Sequence, residues 1–228
     1  MEKHWIVVGG GFLVVVAAAG AVWSLFPRSV VVPPPLVSGT PLAENTIVAS
    51  STPKSVVTNR PVTHLLPLAK GDTIVSWDFK GVYTDTPELV MQANNEIKHL
   101  SESLATATSS AMILSVGIAN QYELIGNGKK QYEYLERAIR ADMMNGLPWH
   151  NLGVLMERLG AYQTARIAYE KSTIVQSQYP LYQYAYLEFL IARMKGETID
   201  IEKAFAAAEK NIGKTQDLND LRSEWGKP

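Results

Sequence analysis

The stretch PWHNLGVLMERLGAYQTARIAYEKS, residues 148–172, decides the fold class of this chain. Its apolar residues recur at helical spacing on both sides of Gly160, which marks the point where a helix ends in a left-handed residue. In the first half, Gly153 has no side chain and lets a second helix approach closely. The stretch therefore predicts two helices joined by a short turn, at about 147–159 and 162–176.

A second copy of this pattern lies 34 residues earlier in the chain. At that offset Gly126 falls opposite Gly160, and Tyr122 falls opposite Met156. The earlier copy is weaker, because Gln131 stands where the pattern has a small residue. A fixed offset of this size indicates an array of repeated helix pairs.

The same phase continues towards the C-terminus. It predicts a third pair whose first helix covers 180–194, followed by a loop over 195–199. The second helix of that pair contains Ala204 and Ala208. A short amphipathic helix around Leu218 then covers the end of the array, as repeat proteins require for solubility.

The later copy resembles the tetratricopeptide repeat, and the resemblance extends over about 112–210. The residues that carry it are Trp149, Leu152, Gly153, Gly160, Tyr162, Ala165 and Tyr169. The resemblance implies an all-α fold, a helix-turn-helix solenoid of about three repeats whose first helices line a concave face. In this family that face binds an extended or helical segment of a protein partner. Both copies depart from the family by lacking its usual terminal proline, since Met143 and Ser177 stand there.

The positions that line the groove in this family can be carried over one by one. They are Val116, Asn120, Glu123, His150, Asn151, Val154, Glu157, Arg158, Tyr184, Glu188 and Ile191. Some family members hold a partner's C-terminal carboxylate with cations, but Val116 and Ala185 stand where those cations are needed. The resemblance therefore implies an internal segment of the partner as the ligand.

An uncharged run covers residues 6–26, after a short tail. A helix of this length just spans a bilayer, and Trp5 and Trp23 lie near its ends, where indole rings favour the interface. Its glycines do not form a dinucleotide-binding loop, because Val14 stands where that motif requires glycine. We expect a retained signal anchor with the rest of the chain on the extracytoplasmic side. The alternatives are a cleaved signal peptide and, least favoured, a buried core helix.

Residues 27–70 hold eight of the twelve prolines and very few charges, which predicts an extended linker. Thr86-Pro87-Glu88 then predicts the start of a helix, since a proline at the first helical position after a threonine is a start signal. The predicted organisation has six segments. They are a tail (1–5), a transmembrane helix (6–26), the Pro-rich linker (27–70), an N-terminal segment with a helix (71–110), the repeats (111–211) and a capping segment (212–228).

Charge and residue types exclude several classes of function. Residues 71–228 carry 16 Lys and Arg against 20 Asp and Glu, so this part has no basic footprint for nucleic acid. The absence of cysteine excludes disulfides and thiol chemistry. The four histidines are scattered, and no set of residues supplies a nucleophile, a base and an oxyanion donor. We expect no enzyme activity, no cofactor and no metal.

These observations predict a membrane-anchored interaction scaffold, an adaptor that binds a partner protein in envelope assembly or secretion and contacts lipid through one helix. The first alternative is an exported soluble adaptor, formed if the N-terminal segment is cleaved. The second is a structural protein that associates with itself, because an uncapped end of a repeat array exposes an apolar face.

Overall fold

The computed structural model describes residues 66–107 and 109–226. This part of the chain is all-helical, as predicted, and contains eight helices and no strand. The helices are α1 (Pro87–Thr106), α2 (Ala111–Leu124), α3 (Gly128–Ala141), α4 (Gly146–Arg158), α5 (Tyr162–Val175), α6 (Pro180–Arg193), α7 (Thr198–Ile212) and α8 (Gln216–Trp225).

The helices pack mainly against their neighbours along the chain. The closest pairs are α2 with α3 and α4 with α5, while α1 lies on α2 and α8 contacts both α6 and α7. Packing of each element against its neighbours is typical of a helical solenoid. The predicted helices 147–159, 162–176 and 180–194 are confirmed to within two residues, and α7 begins inside the predicted loop 195–199.

Glycines determine the geometry of the two closest pairs. Gly126 and Gly160 end the first helix of each pair with φ of +80° and +76°, the left-handed conformation that glycine adopts without cost. Within α4, a Cβ placed on Gly153 would lie 2.8 Å from the ring of Tyr169 on α5. The ring of Tyr169 also packs against Phe189 of α6, with centroids 5.1 Å apart. Tyr169 therefore joins one helix pair to the next.

The N-terminal part of the described chain forms an element that sequence reasoning missed. Residues 66–85, here called the strap, run outside the helices before α1 begins. Their side chains Leu66, Ile74, Trp77 and Phe79 pack against the main core. The strap includes residues 66–70, which the sequence assigned to the Pro-rich linker.

Asp72 of the strap caps a helix far away in sequence. Its carboxylate accepts hydrogen bonds from the backbone N–H of Gln163 at 3.2 Å and from the N–H and hydroxyl of Thr164 at 2.6 and 2.7 Å. Ala161, the residue in the N-cap position of α5, makes no side-chain capping bond. The strap therefore supplies the cap that α5 lacks, and its negative charge also suits the positive end of the helix.

Both ends of the described array are covered. At one end α1 buries Ala93, Ile97 and Leu104 and presents its polar face outward. At the other end α8 buries Leu218. Large apolar side chains also remain exposed, Met91 on α1 and Ile199 on α7.

Candidate interaction surface

The predicted groove residues lie on α2, α4 and α6, the first helix of each pair. Six of the eleven are buried, namely Val116, Glu123, His150, Asn151, Val154 and Glu157. Four are partly exposed, namely Asn120, Arg158, Tyr184 and Ile191, and Glu188 is exposed. The structure therefore does not bring the whole set together on one open face.

Most of the buried groove residues belong to α4, and the packing around α4 explains their burial. Every residue from Gly146 to Glu157 is buried, so this helix is enclosed on all sides. His150 lies between the rings of Tyr169 and Tyr182, at centroid distances of 5.7 and 5.6 Å. The amide of Asn151 donates to the side chain of Asn120 at 3.2 Å. In this arrangement the α4 residues hold the array together, and a partner cannot reach most of them.

Three charged residues of the predicted groove, Glu123, Glu157 and Arg158, form ion pairs between helices. Arg158 donates to Glu123 at 3.0 Å, and Arg193 donates to Glu157 at 2.9 Å. Because Glu123 and Glu157 are 34 residues apart, the same bond forms twice along the array and joins successive helix pairs. Glu157 also accepts a bond from the buried hydroxyl of Tyr169 at 3.0 Å. These groups stabilise the array as a ladder of ion pairs.

An open cleft lies where the predicted groove reaches the C-terminal end. This α6–α8 cleft has a volume of about 270 Å³. From α6 it is lined by Tyr184 and Glu188, two of the predicted groove residues, and from α8 by Asp217, Asp220, Leu221 and Glu224. Sequence reasoning missed the α8 residues, because their helix was interpreted only as a cap.

Two hydrogen bonds fix the position of α8 beside α6. The side chains of Tyr184 and Thr215 share a hydrogen bond of 3.0 Å. The Thr215 hydroxyl also accepts the N–H of Leu218 at 3.2 Å, which caps α8. Since Leu218 is buried, the cap and the core contact together hold Asp217, Asp220 and Glu224 beside the cleft.

Four carboxylates therefore surround one small cleft. In the described part of the chain, no lysine or arginine forms an ion pair with Asp217, Asp220 or Glu224. The arginine of α8, Arg222, pairs with α7 instead, donating to Glu202 and Glu209 at 2.9 and 3.2 Å. The three carboxylates of α8 consequently give the cleft a negative potential, with the Tyr184 ring and Leu221 as apolar walls.

A larger groove, of about 400 Å³, lies between α5, α6 and α7. Its charges are balanced within the groove, because Asp200 pairs with Arg166 at 2.7 Å and with Lys203 at 3.5 Å. The α6–α8 cleft is therefore the more selective surface of the two, since its charge has one sign. Over the described residues, no group of three or more His, Cys, Asp and Glu side chains is placed to hold a metal ion.

Two tyrosines of α6 predict a loss of stability in alkali. Burial raises the pKa of both Tyr182 and Tyr186 from 10.0 to about 12. Above pH 10 the unfolded chain loses these protons before the folded chain does, so the free energy of unfolding should fall as the pH rises from 10 to about 12. Unfolding by urea at a series of pH values measures this slope. The variant Tyr182→Phe/Tyr186→Phe should have a shallower slope, and an equal slope would contradict the assignment.

Among the residues that the structure describes, no helix combines the length and apolar character needed to cross a bilayer. The predicted transmembrane helix 6–26 lies outside the described residues, as does the linker up to residue 65.

No protein-family model, curated protein or solved structure matches this chain.

Proposed function

We propose that this chain is a membrane-anchored interaction scaffold of the tetratricopeptide type, and that its α6–α8 cleft binds a basic segment of a partner protein. The helical solenoid supports the proposal, because its closest pairs repeat the same glycine corner at Gly126 and Gly160. So does the repeated bond of Glu123 and Glu157 to the next pair. Such arrays serve mainly to present binding surfaces.

The observation that carries the proposal is the α6–α8 cleft. It is open, it contains two residues predicted for the groove, and four carboxylates line it. A lysine or arginine of a partner would lie between these carboxylates while its aliphatic stem packs on Tyr184 and Leu221. Each exposed ion pair contributes only about 0.2–1 kcal/mol, so several are needed for useful affinity. Binding should therefore weaken as the salt concentration rises.

Charge reversal in the cleft tests this proposal. The full-length chain would be cross-linked to its partners in intact cells and then purified from membranes. The variant Glu188→Lys/Asp220→Lys should capture at least about tenfold less partner than wild type. The reason is that its lysines would repel the basic segment of the partner. The matched control is Glu88→Lys/Glu102→Lys, which makes the same change in net charge at exposed positions of α1. The control should capture as much partner as wild type.

The outcomes separate the alternatives. Equal capture by the cleft variant and wild type would contradict the cleft assignment. Cross-linking of the chain only to itself would favour the self-associating structural protein. A stoichiometric complex without turnover supports a binding role, which we propose in place of catalysis.

The proposed anchor is tested separately. If residues 6–26 remain in the mature protein, carbonate-washed membranes should retain a chain of the full 25.1 kDa. A shorter, soluble chain would instead support the exported adaptor.

A further inference from the structure

The strap approaches the turn between α2 and α3 so closely that only glycine fits at three positions. A Cβ on Gly126 would overlap the carbonyl oxygen of Phe79, and a Cβ on Gly128 would overlap that of Trp77. On the strap itself, a Cβ on Gly81 would overlap the carbonyl oxygen of Leu124. The turn is therefore shaped to receive an extended backbone. We call this surface the strap seat, formed by residues 124–132 together with Arg158.

Main-chain hydrogen bonds hold the strap in this seat. The N–H of Phe79 donates to Gly126 O at 3.0 Å, and the N–H of Gly128 donates to Trp77 O at 3.0 Å. The N–H of Tyr83 donates to Leu124 O at 2.8 Å. Pairing of this kind recognises the backbone of the bound segment, provided that glycine stands at the position of Gly81.

The seat is selective for two aromatic side chains of the segment that occupies it. Trp77 packs against Tyr132 with centroids 5.3 Å apart, and the ammonium group of Lys129 lies 4.9 Å from the Trp77 ring centre. The guanidinium of Arg158 lies 4.7 Å from the centre of the Phe79 ring. Each ring therefore has its own cation, and the two rings are two residues apart, the spacing that places side chains on one face of an extended segment.

The strap is less buried than the helices below it, since Gly81 is the one buried residue of 66–85. Val75 and Val82, on either side of the two rings, are 99% and 81% exposed. By contrast Tyr132, which forms the floor of the seat, is 4% exposed. Segments with few buried residues open at a lower free energy than the core, so we expect the strap to open before the helices unfold, with loss of its contacts through Trp77, Phe79 and Asp72.

We propose that the strap seat is a binding surface for an extended partner segment that carries two aromatic side chains two residues apart. The chain's own Trp77-Asp78-Phe79 occupies it, so that a partner binds when the strap leaves. The seat is formed by other residues than the α6–α8 cleft, and its test does not depend on that cleft.

A peptide competition experiment tests the seat. The probe is a fluorescent peptide with the strap sequence DTIVSWDFKGVY, residues 72–83, titrated against the full-length chain in detergent micelles. In wild type the strap competes at an effective concentration of about millimolar, so binding should be weak. The variant Trp77→Ala loosens the strap and leaves the seat intact. It should bind the peptide at least about tenfold more tightly, since loss of one aromatic anchor costs more than about 1.4 kcal/mol.

Two controls make the result specific. A peptide with serine in place of both aromatic residues should not bind the Trp77→Ala chain. Adding Gly126→Ala to that chain should abolish binding by blocking the seat, whereas adding Gly160→Ala should not. Equal affinity of wild type and Trp77→Ala for the peptide, or binding of the serine peptide, would overturn the proposal.

Hydrogen exchange gives a second test, which is measured on the wild-type chain and therefore does not depend on whether a variant folds. In wild type, the amides of Phe79, Tyr83 and Gly128 should exchange at a lower opening free energy than the amides of α4. Equal opening free energies would mean that the strap leaves only when the array unfolds, and would overturn the proposal.

Discussion

Replacing Gly126 with alanine should destabilise the chain much more than the same replacement at Gly160. Both glycines end the first helix of a pair, with φ of +80° and +76°, so the left-handed conformation costs alanine about 1–2 kcal/mol at either site. At Gly160 no atom lies within 4 Å of the added Cβ. At Gly126 the added Cβ overlaps the carbonyl oxygen of Phe79. We therefore expect a further loss of about 1–3 kcal/mol at Gly126, from the overlap and the displaced strap.

Urea unfolding of the two full-length variants, followed by circular dichroism, measures the difference in the free energy of unfolding. Because the backbone strain is matched, the difference reports on the contact between the strap and its seat. Hydrogen exchange should show loss of protection in residues 77–83 for Gly126→Ala and not for Gly160→Ala. Equal destabilisation by the two variants would mean that the strap contributes nothing to the stability of the turn.

These two glycines also show which parts of the fold the sequence could predict. Gly126 and Gly160 each end a helix in the left-handed conformation, which depends only on the residues of that helix pair. Such a requirement recurs at a fixed offset in a repeat array. The same holds for Gly153, whose close contact with Tyr169 lies within one helix pair. Helix ends and pair geometry could therefore be predicted from spacing alone.

The strap could not be predicted in this way, because its contacts are far apart in sequence and follow no period. Asp72 caps α5 across 91 and 92 positions of the chain. Trp77 and Phe79 pack on helices that follow them by about fifty residues or more. The glycine-rich turn Gly126-Asn127-Gly128 was interpreted only as a turn. Its second role, as a seat for the strap, depends on an element that has no periodic signature.

The candidate site was predicted in part, for a related reason. The repeat offset indicates which face of a helix a residue occupies, but it does not indicate what covers that face. His150 and Asn151 are buried because α4 has neighbours on all sides. Tyr184 and Glu188 line an open cleft because α6 is the first helix of the last pair, and the short α8 follows that pair in place of another helix pair. The acidic residues of α8 belong to the cap, where the family pattern gives no expectation.

Replacing Glu157 with alanine should be among the most destabilising changes in the array. The carboxylate of Glu157 accepts bonds from the hydroxyl of Tyr169 at 3.0 Å and from Arg193 at 2.9 Å. Arg193 is partly exposed and can be rehydrated, but Tyr169 is 2% exposed, so its hydroxyl would be left buried without this acceptor. We expect a loss of about 2–4 kcal/mol in the free energy of unfolding.

Two companion variants separate this hydrogen bond from other effects of the change. Glu157→Gln keeps the side-chain volume and an oxygen that can accept from Tyr169, so it should cost clearly less than Glu157→Ala. Adding Tyr169→Phe to Glu157→Ala removes the orphaned hydroxyl and should therefore recover about 1 kcal/mol. The double-mutant cycle is measured by urea unfolding. If the effects of Glu157→Ala and Tyr169→Phe simply add, the two side chains are not coupled, and Glu157 stabilises the array through Arg193 rather than through Tyr169.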